Sequence, residues 1–124
     1  MGESLTIPVS LAAGGAIPRG SLMILSTGTL VVSTGATTVP VAVAQDTYAS
    51  GDIVAGVTHG YCYMAAHDGA IAVGDRLEPA AAGRVDTHAG TAANTVVGIA
   101  WEASAAQDDL ILCQFIGPGI YDGT

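Results

Sequence analysis

His59, Cys62 and His67 are the first residues in this chain whose types suggest chemistry, since imidazole and thiolate are ordinary zinc ligands. Their spacing argues against a site. In an extended chain successive side chains face opposite sides, so His59 and Cys62, three apart, diverge, and His59 shares its side with Tyr61 and Tyr63. His67 opens a turn, His67-Asp68-Gly69, and His88 falls in the loop of residues 86–94, which has no apolar anchor. No serine sits in a GxSxG elbow, and a GxxxxGK[ST] phosphate loop cannot exist without lysine. Asp108 and Asp109 are adjacent, so their carboxylates point apart if the chain is extended and no acid–base pair converges. The expectation is a protein that is not an enzyme and holds no metal or cofactor.

Cys62 and Cys113 each lie in an apolar strand pattern, far apart in sequence. Buried, reduced thiols are expected, with a bridge open to them if their strands are neighbours.

Charge narrows the partners. Three arginines, no lysine and eleven acids give a formal charge of −8. The basic footprint for a phosphate backbone is missing, so no nucleic-acid partner is expected. The apolar stretch of residues 22–44 is broken by Gly28, Gly35 and Pro40, so no membrane span is expected either. The N-terminus lacks the basic and continuous apolar regions of a signal peptide.

The elements that must position these residues are strands. Leu5, Ile7, Val9 and Leu11 alternate with Thr6, Pro8 and Ser10, a period-two pattern, and the AAGGA of residues 12–16 reads as a joint. Pro8 lacks an N–H, which suits an edge strand or an arm. Such an arm, residues 1–15, could lay its apolar face on a neighbour by strand addition; an ordinary first strand is the competing reading. Residues 21–25 and 29–33 should form a hairpin about Ser26-Thr27-Gly28, with strands at 37–44, 52–63, 95–101 and 109–116. The segment 102–108 reads as a loop or one helical turn, and Gly117-Pro118-Gly119 should end the last strand, leaving 117–124 as a tail. No stretch has a sustained helical stripe. The fold class is all-β, a small barrel or sandwich over residues 16–116.

At the centre of the chain, residues 69–85 read as a β-corner. Gly74 can take positive φ at no steric cost, Asp75 can bond the backbone of the turn, and Ile71, Val73 and Leu77 should point inward. A fainter copy starts at Ile17: Ile17-x-x-Gly20 precedes Ile71-x-x-Gly74 by 54 residues (71 − 17). Val41-Ala-Val43-Ala44 precedes Val97-Gly-Ile99-Ala100 by 56 (97 − 41), and Asp52 precedes Asp109 by 57. A drift in one direction is what loop insertions produce, so the chain reads as two copies of one unit of short strands. With one Phe, one Trp and 17 Gly, its large side chains are few, and burial against identical subunits or a partner would add what the monomer lacks.

Ile17-x-x-Gly20, Pro40-Val41-x-Val43-Ala44, Gly69-x-Ile71-x-x-Gly74-Asp75-x-Leu77, Gly83-Arg84-Val85, Val97-Gly98-Ile99-Ala100 and Leu110-Ile111-Leu112, in this order, resemble the small capsid cement (decoration) proteins of tailed bacteriophages. More narrowly they are similar to the DUF2190-type set. The resemblance implies a compact β-domain that is added in the host cytoplasm to the outer surface of the virion capsid. It further implies a homotrimer that ties major capsid proteins together. It supplies no site residues, and the N-terminal stretch lies outside it. The contact proposed there, through Leu5, Ile7, Val9 and Leu11 to capsid protein or an adjacent subunit, rests on the strand pattern alone. A second reading is a small-molecule-binding barrel, because Ile17-Pro18-Arg19-Gly20-Ser21-Leu22 resembles the corner of SAF-type β-clip domains that bind sugars. Another virion accessory, of the tail tube or a fibre, is the third.

Overall fold

Runs of Val, Ile, Leu and Thr between Gly and Asp corners are too short for helices, and the regular structure of the chain is almost wholly strand. The computed structural model describes the backbone of residues 5–91 and 93–121, and the side chains of residues 11–91 and 93–116. Its strands are β1 (Leu5–Ala12), β2 (Leu22–Ser26), β3 (Thr29–Val32), β4 (Ala42–Ala44), β5 (Ile53–Ala65), β6 (Arg76–Pro79), β7 (Val85–Thr87), β8 (Thr95–Ala100) and β9 (Leu110–Tyr121). A single 3-10 turn, Ala81–Gly83, joins β6 to β7. All neighbours are antiparallel in one sheet of order β3-β2-β4-β5-β9-β8-β6-β7, with β1 also on β5.

The duplication seen in the sequence is a duplication of hydrogen bonds. β2 pairs with β4 through Leu22↔Val43 and Met23↔Ala42, and β6 pairs with β8 through Arg76↔Ile99 and Leu77↔Gly98. The shifts are 54 on one strand (76 − 22) and 56 on the other (99 − 43), as in the sequence. Ala44↔Gly56 likewise becomes Ala100↔Cys113, the β2–β3 hairpin becomes β6–β7, and the start of β1 on β5 becomes the end of β5 on β9. The long strand β5 therefore ends the first unit and opens the second. Each unit curls into a half-barrel whose two ends meet at one parallel bridge, Ala13↔Leu30 or Ala66↔Val85.

The corner is built as expected, twice. Gly74 has φ +90° and Gly20 φ +85°; their N–H groups donate to the carbonyls of Ala100 (2.8 Å) and Ala44 (2.7 Å). Asp75 Oδ2 accepts the N–H of Ala72 (2.9 Å), so the aspartate ties back the chain that enters the corner. Ile71 and Leu77 are buried. Val73 is not: it is 67% exposed, because the chain reverses at Gly74 and the period-two alternation stops there.

The six positions Ala13, Ile17, Met23, Leu30, Ala44 and Val54 fill the first half-barrel, and their counterparts Ala66, Ile71, Leu77, Val85, Ala100 and Ile111 help fill the second. Leu22, Val43 and Val57, on the other side of the first unit, join the second cluster and so weld the halves.

Three boundaries differ from expectation. Residues 37–41 are not strand, since Gly35–Thr38 folds as a turn (Thr38 N–H to the Gly35 carbonyl, 3.2 Å) and Pro40 has no donor. The strand β7 takes Asp86 and Thr87 out of the expected 86–94 loop. β9 does not stop at Gly117-Pro118-Gly119. It pairs Phe115 with Gly98 and Ile120 with Val96, so these residues sit in a bulge where a missing N–H breaks no ladder bond.

Candidate functional site

Of the four residues singled out for contact, Leu11 is half-buried and packs against the first half-barrel's core. The side chains of Leu5, Ile7 and Val9 lie outside the described residues. Their backbone is strand: β1 pairs with β5 at Thr6↔Val57, Ile7↔Gly56 and Pro8↔Ala55. The segment read as a joint is tied as well, with Ala13 N–H donating to the Asp52 carbonyl (2.8 Å) and Gly14 N–H to that of Leu30 (2.9 Å).

Leu11 also lines an apolar cavity of about 250 Å³ with Met23, Leu25, Leu30, Val41, Ala42, Gly56 and Thr58. The repeat explains the space. The counterparts of Gly56 and Thr58 are Cys113 and Phe115, and Phe115 is fully buried in the second half-barrel. Where one unit has an aromatic plug, the other has a threonine. Thr58 is the sole polar side chain among the described lining residues, so nothing there converges on a sugar.

A second cleft, about 310 Å³, lies where the half-barrels meet and is lined by Arg19, Ser21, Arg84 and Asp108 among others. Arg84 and Asp108 close on each other there in a bidentate pair, Nε to Oδ1 at 2.7 Å and an Nη to Oδ2 at 3.2 Å. This hydrogen bond holds the Asp108 carboxyl below its ordinary range and raises Arg84.

The metal-type residues divide. His59 is exposed and Cys62 buried, as the spacing predicts. Cys62 faces Cys113 across the β5–β9 ladder, yet both thiols are free. Burial pushes Cys62 up to about 12 and Cys113 higher still, so neither is a nucleophile near neutral pH. His67 comes together with Asp68 and Asp86, ligand atoms within 4.8 Å of one another, a grouping that sequence spacing does not reveal. Both carboxylates already accept backbone N–H groups, from Ala70 and Thr87.

What the molecule presents instead is apolar surface. On the outer side of the second unit Ile99 is 38% and Trp101 50% exposed, and Trp101 meets Tyr61 edge-on at 5.4 Å between ring centres. On the first unit Leu25, Val39 and Ile53 are exposed. Large exposed apolar groups rimmed by polar ones mark surfaces that other proteins cover.

Fold and surface together define a duplicated all-β chain with exposed apolar side chains on both of its units. It belongs to the phage cement protein family, whose model matches residues 1–115. Among solved structures it is similar to the N base of the head fiber protein gp8.5 of bacteriophage phi29, with 22% identity and a TM-score of 0.68, over 95% of this chain and 97% of that one. That likeness is one of fold. The search of curated proteins gives no match. The family places the chain in the virion, as an accessory of the phage capsid, in agreement with the resemblance read from Ile17 to Leu112. No described helix is long and apolar enough to cross a membrane.

Proposed function

We propose that this protein is a capsid cement protein that binds the outer surface of the phage head as an oligomer, a trimer, and bridges neighbouring major capsid proteins. The observation that carries the reading is the family match over nearly the whole chain. Exposed Ile99, Trp101, Val39 and Ile53 on a chain with few large side chains support it, because burying them against other proteins adds stability the monomer lacks. The role is structural and needs no catalytic group. A face of β1, through Leu5, Ile7, Val9 and Leu11, contributes a contact to capsid protein or an adjacent subunit.

The test is occupancy. Heads assembled without the protein are incubated with the purified chain, pelleted and imaged by cryo-electron microscopy. Density on the outer surface at three-fold positions, and shells that release DNA at higher temperature, are expected. No association with shells sinks the reading. The β1 contact is read from Leu5→Asp: weaker occupancy at an unchanged melting temperature is expected, and unchanged occupancy removes it.

A further inference from the structure

Within one chain the half-barrels touch through two different surfaces. The first unit offers Leu22, Val43 and Val57, all buried, and Gln45, whose amide holds the backbone of Tyr63 (Nε2 to the carbonyl 3.2 Å; N–H to Oε1 3.2 Å). The second unit offers its β6–β7 turn and the start of β8. Gly83 N–H donates to the Ser33 carbonyl (2.8 Å), Thr95 N–H to that of Ala36 (2.8 Å), and Thr95 Oγ1 to that of Thr38 (2.6 Å).

Since the units repeat, each surface has a counterpart, and within one chain both counterparts stay open. The positions matching Val43 and Gln45 are Ile99 and Trp101, which are exposed. Those matching Thr95 and Leu110 are Val39, 42% exposed, and Ile53, 64% exposed. Thr95 is fully buried against the first unit, while Leu110 reaches over Gly20 with part of its side chain and is otherwise 38% exposed. Ile99 and Val39 thus stand open at positions where the other unit buries Val43 and Thr95 between the halves, and Ile53 extends the open end beside Val39 in the place that Leu110 takes beside Thr95. Arg76 replaces Leu22 on the open face, the kind of exchange expected of a contact between separate chains.

We propose that a second copy of this chain docks the open end of its first half-barrel, Val39 and Ile53, onto the open face of the second half-barrel, Ile99 and Trp101. The contact repeats between chains the one already made within the chain. It is head-to-tail, so it closes into a ring if the rotation allows and otherwise propagates. It deepens the self-association part of the reading above and does not depend on capsid attachment.

Mass and cross-linking test it. Sedimentation velocity of the full chain should show an oligomer, and Ile99→Asp should weaken it by about tenfold or more, because a desolvated charge at such a contact is costly. Trp101→Ala should weaken it too, and circular dichroism checks that both variants keep the fold. The contact of Thr95 with Thr38 maps, between chains, onto Val39 and Asn94, since Thr38 and Asn94 close the same turn (N–H to the Gly35 carbonyl 3.2 Å, N–H to the Thr91 carbonyl 3.0 Å). Val39→Cys with Asn94→Cys should therefore form an interchain disulfide on oxidation, and each single variant should not. Cys62 and Cys113 are buried and do not compete. A monomeric parent chain, an oligomer indifferent to Ile99→Asp and Trp101→Ala, or no interchain disulfide in the double variant each overturns the proposal. Head occupancy is scored separately, so an oligomer that ignores shells refutes the capsid reading and leaves this contact standing.

Discussion

Asp108 has φ +70°, a left-handed conformation that costs an L-residue energy, and its counterpart in the first unit is Gly51 at φ +89°. Both make the same bond, Asp108 N–H to the Ala66 carbonyl and Gly51 N–H to that of Ala13, each 2.8 Å. What the aspartate adds is its pair with Arg84, exposed on one side and therefore weak in water. The hydrogen bond from Arg84 lowers the Asp108 pKa below its ordinary 3.8. A group depressed on folding contributes stability above its unfolded pKa and loses it as pH falls through the folded one. Asp108→Gly removes the pair and the backbone strain together. At neutral pH the two effects oppose each other, and well below pH 3.8 the pair no longer counts against the variant. The melting temperature of the variant minus that of the parent should thus be more positive in acid than at neutrality. A difference that falls on acidification refutes the assignment. The match of Asp108 with Gly51 follows from the 57-residue offset of Asp52 and Asp109, but the pair with Arg84 was not legible in the sequence, where Asp108 and Asp109 read as a carboxylate doublet. Asp109 in fact accepts the N–H groups of Ala105 (2.7 Å) and Ala106 (3.1 Å), as its counterpart Asp52 accepts that of Ala49 (2.9 Å).

Strands show how far a pattern can be read. The corners and the duplication were legible because Gly20 and Gly74, or Ala44 and Ala100, are backbone signals that burial cannot disguise. Side-chain direction was less so. Val73 read as inward, yet it stands where the first unit has Arg19, and the repeat itself would have corrected the reading. The use of β5 by both units and the bulge in β9 depend on partners remote in sequence, which no local pattern contains. Glycine here is also steric: a Cβ on Gly98 would run into the Gln114 carbonyl of β9, so Gly98→Ala should force the strands apart. The unequal cores give a sharper expectation. Thr58→Phe places in the first half-barrel the plug that Phe115 supplies in the second, and filling the cavity should stabilise by about 0.5–2 kcal/mol, a rise of a few degrees. Phe115→Ala should cost about 3–5 kcal/mol. A lower melting temperature for Thr58→Phe would mean that the space is not shaped like its counterpart and that the ring overpacks it.

On the scale of the molecule, the question is whether two similar units behave as one. Leu22, Val43 and Val57 come from the first unit but belong to the cluster that holds Leu77, Val97 and Phe115 of the second. β5 runs through both as an unbroken strand. A first unit that unfolded alone would strip these three from the second core and break the β5 ladder at its middle, so the open state would cost nearly as much as global unfolding. Val43→Ala is the direct probe. The residue is fully buried in the first unit, and its truncation should cost about 2 kcal/mol. The only tryptophan, Trp101, reports on the second unit through its edge contact with Tyr61. If the halves are welded, Val43→Ala lowers the tryptophan-detected melting temperature and the far-ultraviolet one by the same several degrees, at one protein concentration so that mass action on the oligomer is held fixed. A tryptophan transition that stays put while the dichroism becomes biphasic would show two independent half-barrels. The contact between units would then be too weak to repeat between chains.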